Sequence, residues 1–304
     1  MSNDHHYTGF GLNIISDIEF PEFMPTNFET ADMVIRLGQI PEEFSLGRDL
    51  STSFSKVSET GYFLNIARIA RYLVTKGKTI LVEPYSNADI YSIRLFLLSN
   101  AMAALLLQRN KILLHASSII HEHKLFLFLG ESGAGKSSLA AEMSKRGYSI
   151  FTDDICVLNP VSEEEAEVTA VSSYPMLKLW DDAIMALNDE KFDMTYKLRP
   201  QNEKYGYFFH ADFTRKAIPI KKIFILDNTR TNAQYESKKI TGVEAFEYLG
   251  KNTYRRQFIK DPNLQKIHFE SLSKLIQQTD IYILGRSKNL GDIQSFTDFV
   301  EKQL

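Results

Sequence analysis

Residues Leu125-Phe126-Leu127-Phe128-Leu129 run directly into Gly130-Glu131-Ser132-Gly133-Ala134-Gly135-Lys136-Ser137, and this stretch decides the fold. Five apolar residues in a row read as a strand buried on both faces. Beyond the glycines, Leu139, Ala140 and Met143 recur on one helical face, and Gly147 stands as a C-terminal stop. A strand, a glycine loop and a helix N-terminus in that order make an anion site, because free backbone N–H groups and the positive end of the helix dipole converge there. In this G-x-x-x-x-G-K-S pattern the lysine, Lys136, reaches the outer phosphates of a nucleotide. The hydroxyl of Ser137 holds a magnesium ion. Gly130, Ser132, Gly133, Ala134, Gly135, Lys136, Ser137 and Ser138 are therefore the expected nucleotide-binding residues. The competing account is a chance glycine turn ahead of a helix. No guanine-reading N-K-x-D pattern follows, so ATP with Mg²⁺ is the expected ligand pair.

Composition excludes other classes without adding chemistry. The 304 residues suffice for one large domain or two smaller ones. A net charge of −3 provides no basic field for nucleic acid. Cys156 is the single cysteine, so no internal disulfide forms, as suits a cytoplasmic protein. The N-terminus lacks a basic segment followed by an apolar one, so no signal peptide is expected. The apolar stretch from Leu95 to Leu107 is interrupted by Ser99 and Asn100 and is shorter than the roughly 20 residues of a span, so it reads as a core helix with no membrane partner.

Residues 1–86 look β-rich, with short apolar runs, recurrent prolines and a hairpin signal at Lys76-Gly77-Lys78. A helix is expected from Ala88 to Gln108, then a strand from Ile112 to Ile120 and a polar turn at His121-Glu122-His123-Lys124. That turn's histidines invite a zinc reading, but a hairpin connection is the simpler account. Residues 189–216 carry many charges and few apolar runs, which suits a mobile loop beside a site. The fold class expected is α/β (α+β), with residues 1–86 a β-rich region and residues 87–304 the catalytic domain.

Tyr148-Ser149-Ile150-Phe151-Thr152 reads as a strand ending in Asp153-Asp154. Carboxylates at a strand end near a metal–triphosphate hold the metal or accept a proton from an attacking hydroxyl. Two solvated turn residues are the bland alternative. Asp227 also ends an apolar run, but its surroundings read as a plain turn and it is taken as structural.

His115-Ala116-Ser117-Ser118, the G-E-S-G-A-G-K-S-S loop, Lys145-Arg146-Gly147-Tyr148 and Thr152-Asp153-Asp154, in that order, resemble the catalytic domain of the HPr kinase/phosphorylase family. The resemblance is dense over Leu113 to Val157. It implies the kinase core shared with phosphoenolpyruvate carboxykinase. It also implies Asp153 as proton acceptor from a substrate serine, His115 beside it, Asp154 supporting the metal with Ser137, and Lys136 on phosphate. The glycine-rich segment used for dephosphorylation has no match at Tyr174-Pro175-Met176-Leu177-Lys178-Leu179-Trp180. That departure puts phosphorylase activity and HPr itself in doubt.

The chain's front and its Y-P-x-L-K-L-W segment resemble a divergent branch that includes kinases of the C-terminal serine in lasso peptide precursors. A peptide or small protein bearing a serine is accordingly the expected partner. Relatives are often homo-oligomers, although no local pattern specifies an interface. Lys197, Arg199 and Lys204 are candidate phosphate or substrate contacts, with Arg255-Arg256 and Arg286 as weaker anion sites. A small-molecule kinase and a non-catalytic nucleotide-binding regulator remain alternatives.

Overall fold

The computed structural model describes residues 4–45, 47–58, 61–159, 167–228, 235–286 and 292–304. The acidic run at 163–165 and most of the turn after Asp227 lie outside these residues. Among the described residues, eight strands occupy the front of the chain: β1 (His5–Gly9), β2 (Leu12–Ser16), β3 (Met24–Pro25), β4 (Met33–Leu37), β5 (Phe54–Ser58), β6 (Gly61–Ile66), β7 (Ala70–Thr75) and β8 (Thr79–Pro84). They form one mixed sheet in the order β3-β1-β2-β4-β8-β7-β6-β5. The inward positions alternate along β2, where Leu12, Ile14 and Ser16 are buried, as a strand with one covered face requires.

Helices α1 (Ile90–Phe96) and α2 (Met102–Gln108) are joined by a π-helical turn, Leu97–Ala101, into one apolar rod. Its length and composition would let it cross a membrane, yet 72% of its most apolar window is buried inside the molecule. Asp89 caps the start, its carboxylate accepting from Ser92 N at 2.7 Å. The rod packs between the first sheet and a second one, and buried residues from Tyr7 to Ile283 form a single continuous core across both.

The second sheet contains β9 (Ile112–Leu114), β10 (Ala116–His121), β11 (Lys124–Leu129), β12 (Ser149–Thr152), β13 (Cys156–Leu158), β14 (Thr169–Val171), β17 (Ile218–Asp227), β18 (Glu236–Ile240) and β19 (Asp280–Gly285). A small ribbon pairs β15 (Met176–Trp180) with β16 (Lys204–Phe208). The remaining helices are α3 (Lys136–Lys145), α4 (Asp181–Leu187), α5 (Gly242–Lys251), α6 (Pro262–Gln278) and α7 (Ile293–Glu301). Strand β11 is buried on both faces, as its unbroken apolar run demands. Leu125, Leu127 and Leu129 enter the main core, while Phe126 and Phe128 pack under α3 and α7 with Leu139, Met143 and Phe296.

Direction of the strands places the site. Strand β10 is antiparallel to both β11 and β12, so β11 and β12 point the same way. Strands β17 and β19 run parallel to β11 as well. Gly130, Asp153, Asp227 and Arg286 therefore emerge at one edge of the sheet, the carboxyl end of its parallel strands, where ligands bind in open α/β sheets.

Two sequence expectations need correction. The strand expected over Ile112 to Ile120 breaks at His115, which leaves the ladder and faces the sheet edge instead. The stretch 189–216, expected as a loop, contains all of β16 and a 3-10 turn at His210–Asp212. Its apolar residues, such as Phe192 and Tyr205, are spaced too irregularly for a periodic signal but still fill the core beside α4. The turn between β10 and β11 is a tight hairpin, His121 opposite Lys124, with Glu122 and His123 both at positive φ.

Candidate active site

The glycine loop leaves β11 at Gly130 and enters α3 at Lys136. Gly130 has φ +144°, and an added Cβ would stand 2.7 Å from Leu226 O on the neighbouring strand. Gly135 has φ +93°, and a Cβ there would meet an Arg286 guanidinium nitrogen at 2.7 Å. Backbone conformation and space thus both require glycine at these points. The Lys136 ammonium folds back over the loop and donates to Gly130 O at 2.8 Å and Glu131 O at 3.1 Å. It is buried, and burial lowers its pKa against the opposing pull of Asp153 and Asp154. Asn252 Oδ1 accepts from Gly130 N at 2.9 Å, and Asn252 O accepts from His115 N at 2.8 Å. One asparagine at the end of α5 thereby ties the loop to the histidine.

The two adjacent acids face different neighbours. Asp153 is 2% exposed and hydrogen-bonded on both oxygens: Ser137 Oγ donates to Oδ1 at 2.9 Å, Ser117 Oγ donates to the same oxygen at 2.5 Å, and Lys178 N donates to Oδ2 at 2.8 Å. Asp154 adopts φ +70°, which turns its side chain away from Asp153 and into the cavity. Its Oδ2 accepts from Lys178 Nζ at 2.7 Å, and its Oδ1 lies 3.3 Å from His115 Nδ1. Burial alone would raise Asp154, but the Lys178 ammonium and His115 outweigh it and hold the carboxyl well below the usual carboxylate range. Burial opposes Lys178 in the same way, and Asp154 overcomes it, so that ammonium is held well above the usual lysine range.

These groups line one cavity of about 440 Å³ with Ser132, Gly133, Ser138, Trp180, Lys204 and Arg286, closed on one side by Ala183 and Ala186 of α4. The volume falls in the range of small-molecule sites. Among the described residues no group of three His, Cys, Asp or Glu side chains could cage a metal. The pair Ser137 Oγ and Asp153 Oδ1 supplies hard oxygen donors, the set that suits a magnesium ion keeping several waters and shared with phosphates.

Placement of the expected residues is uneven. His115, Ser132, Gly133, Gly135, Lys136, Ser137, Ser138, Asp153, Asp154 and Lys204 come together on the cavity wall. Gly130 and Ala134 shape the loop from behind. Lys197 and Arg199 do not line the cavity: Lys197 is paired with Glu203 at 2.6 Å, and Arg199 Nε donates to Ser92 Oγ at 3.2 Å over the ring of Phe96. All three are cations of the 189–216 stretch, but only Lys204 lies on the strand that reaches the cavity. Arg286 is a wall residue, and its guanidinium donates to Ala134 O at 3.2 Å. Arg255 sits at φ +52° just ahead of a 3-10 turn, Arg256–Phe258, and neither arginine lines the cavity. Asp227 stays off the wall.

Sequence reasoning, through the family resemblance, linked Asp153 with the proton and Asp154 with the metal; in the structure Asp153 bonds Ser137 of the glycine loop, whereas Asp154 pairs with Lys178 and His115. It also passed over Ser117, Lys178 and Asn252. A signal for Lys178 existed, since a lysine between Leu177 and Leu179 in an apolar strand is unusual unless it is paired.

No family model matches the chain, and no curated protein does. Among solved structures it is similar to the HPr(Ser) kinase/phosphatase from Coxiella burnetii, at 12% identity and a TM-score of 0.29, over 62% of this chain and 91% of that one. So loose a likeness assigns no residue a role, which leaves the chemistry to the site's own geometry.

Proposed function

We propose that the protein is an ATP- and Mg²⁺-dependent kinase that transfers the γ-phosphoryl group to a hydroxyl, specifically a serine of a peptide or small protein. The observation that carries this reading is the bond between Ser137 of the phosphate loop and Asp153, with a second carboxylate, Asp154, turned into the same cavity. Nucleotide binding alone requires only the first carboxylate. The second, free of the loop and held beside a histidine, suits a proton acceptor.

In this reading Gly133, Gly135 and Lys136 would cradle the phosphates, while Ser137 and Asp153 would hold the metal. A magnesium ion, when bound there, neutralises charge on the β- and γ-oxygens. Asp154 orients the acceptor hydroxyl and takes its proton. The acceptor oxygen bonds to the γ-phosphorus as the bond from that phosphorus to the β-bridging oxygen breaks, and ADP leaves with that electron pair. His115, against both the carboxylate and the main-chain oxygen of Asp154, fixes its orientation. The C-terminal serine of a lasso peptide precursor is the most specific acceptor on the sequence resemblance, and HPr is its rival.

Transfer from γ-labelled ATP with Mg²⁺ tests the proposal. Acceptors are a peptide ending in serine, its alanine analogue, and HPr. Label on the serine peptide but not on the alanine analogue supports a peptide-tail kinase, and label on HPr alone moves the acceptor to the parent family. An ATP complex that labels none of them contradicts the serine-kinase reading.

A further inference from the structure

Lys178 belongs to no part of the phosphate loop, yet it touches both carboxylates. Its backbone N–H holds Asp153 at 2.8 Å and its ammonium holds Asp154 at 2.7 Å. Met176, Lys178 and Trp180 share one face of β15 because side chains alternate along a strand. The cross-strand partners of Lys178 and Trp180 on β16 are Gly206 and Lys204. Lys178, Trp180 and Lys204 are all on the cavity wall, while the residue facing Lys178 brings no side chain.

The ammonium has a built seat. Its side chain is 5% exposed, and the Tyr174 ring lies 5.6 Å beneath it. Tyr174 is packed in turn by Phe10, with ring centroids 5.5 Å apart, and by Phe23 at 6.2 Å. A lysine seated so firmly does not wander as a surface lysine does. Asp154 takes one of the three N–H donors an ammonium carries. A buried ion pair is a poor device for stability, because desolvating both charges offsets most of their attraction. In a phosphoryl-transfer site, however, a fixed cation beside the proton acceptor faces the equatorial oxygens on which charge develops.

We propose that Lys178 is a catalytic residue, donating to the γ-phosphoryl group in transit while it holds Asp154 for the acceptor hydroxyl. This rests on the kinase reading above. It assigns the transition-state contact to the β15–β16 ribbon, leaving Lys136 to bind the phosphates of ATP before and after transfer.

The test compares two ligands on the full chain by calorimetric titration: ADP–Mg²⁺, and ADP–Mg²⁺ with aluminium and fluoride, which mimics the phosphoryl group in transit. The unsubstituted protein binds the second ligand more tightly. In Lys178→Met, ADP–Mg²⁺ affinity stays within about two-fold and the fluoride-dependent gain falls on the order of 10²-fold, the usual loss for one transition-state donor. Lys178→Arg recovers part of the gain. Should the methionine variant fail to fold, Lys178→Gln, which can still hydrogen-bond Asp154, carries the same comparison. A full fluoride gain in the substituted protein overturns the assignment, and so does an equal loss for both ligands, which would make Lys178 structural. Unsubstituted protein that binds ADP–Mg²⁺ with no fluoride gain contradicts the kinase reading itself.

Discussion

At the scale of single residues, the site is defined by which oxygen meets which donor. Asp153 and Asp154 are neighbours in sequence, but the positive φ of Asp154 sends their carboxylates to different partners. Substitution should separate them. Asp154→Asn is expected to keep ATP–Mg²⁺ affinity within a few-fold and to slow transfer by about 10²- to 10⁴-fold, the usual contribution of a positioned base. Asp153→Asn should instead abolish the gain in ATP affinity that Mg²⁺ confers, read by titration with and without the metal. A residue outside the cavity lining gives a further check on burial. His268 is buried beside Thr253, with Nε2 2.9 Å from Oγ1, and burial, reinforced by Arg256, lowers its pKa from 6.5. Its folded form resists a proton that the unfolded chain accepts. The stability this provides is present above about pH 6.5 and is lost as pH falls through the depressed folded value. Thermal melts should therefore fall less steeply on acidification in His268→Gln than in the unsubstituted protein.

At the scale of elements, the strand–loop–helix unit was readable because each part obeys a local rule. The apolar run of β11 declares burial on both faces, the glycines mark positive φ, and α3 follows with its apolar residues in period. Gly135→Ala tests this unit. The φ of +93° costs about 1 kcal/mol for a side chain, and the new Cβ must push the Arg286 guanidinium out of its place on the wall. Loss of ATP binding by more than ten-fold with a small change in melting temperature is expected, measured by titration and calorimetry. The β15–β16 ribbon was not readable in the same way. Its pairing crosses residues 181–203, and nothing local in Tyr174 to Trp180 announces that Lys178 will meet Asp154. Asn252 was invisible for the same reason, since its contacts to Gly130 and His115 each span more than a hundred positions. Local pattern reports strands and turns; it does not report which distant side chain completes a site.

At the scale of the whole molecule, the first sheet packs against the elements that build the cavity rather than standing apart. The turn between β1 and β2 reaches the segment joining β14 to β15, where Phe10 N donates to Ser173 O at 2.6 Å. Ser173 Oγ lies 2.6 Å from Thr152 Oγ1, the residue just before Asp153. Phe10 and Phe23 also wedge Tyr174 beneath Lys178. Composition showed residues 1–86 to be β-rich, but only the three-dimensional packing reveals this support. Two outcomes follow. The protein should unfold in one calorimetric transition, because a single core spans both sheets. A chain starting at residue 87 should lose ATP binding and aggregate, since the rod α1–α2 and Tyr174 would be stripped of their cover.

The central claim is that this cavity holds a triphosphate through a metal seated on Ser137 and Asp153. Titration of the full chain with ATP, in the presence and absence of Mg²⁺, addresses it most directly. The account predicts saturable binding with Mg²⁺ that weakens at least ten-fold without it, and a Ser137→Ala variant that no longer distinguishes the two conditions. No ATP binding, or equal affinity with and without the metal in the unsubstituted protein, would contradict it.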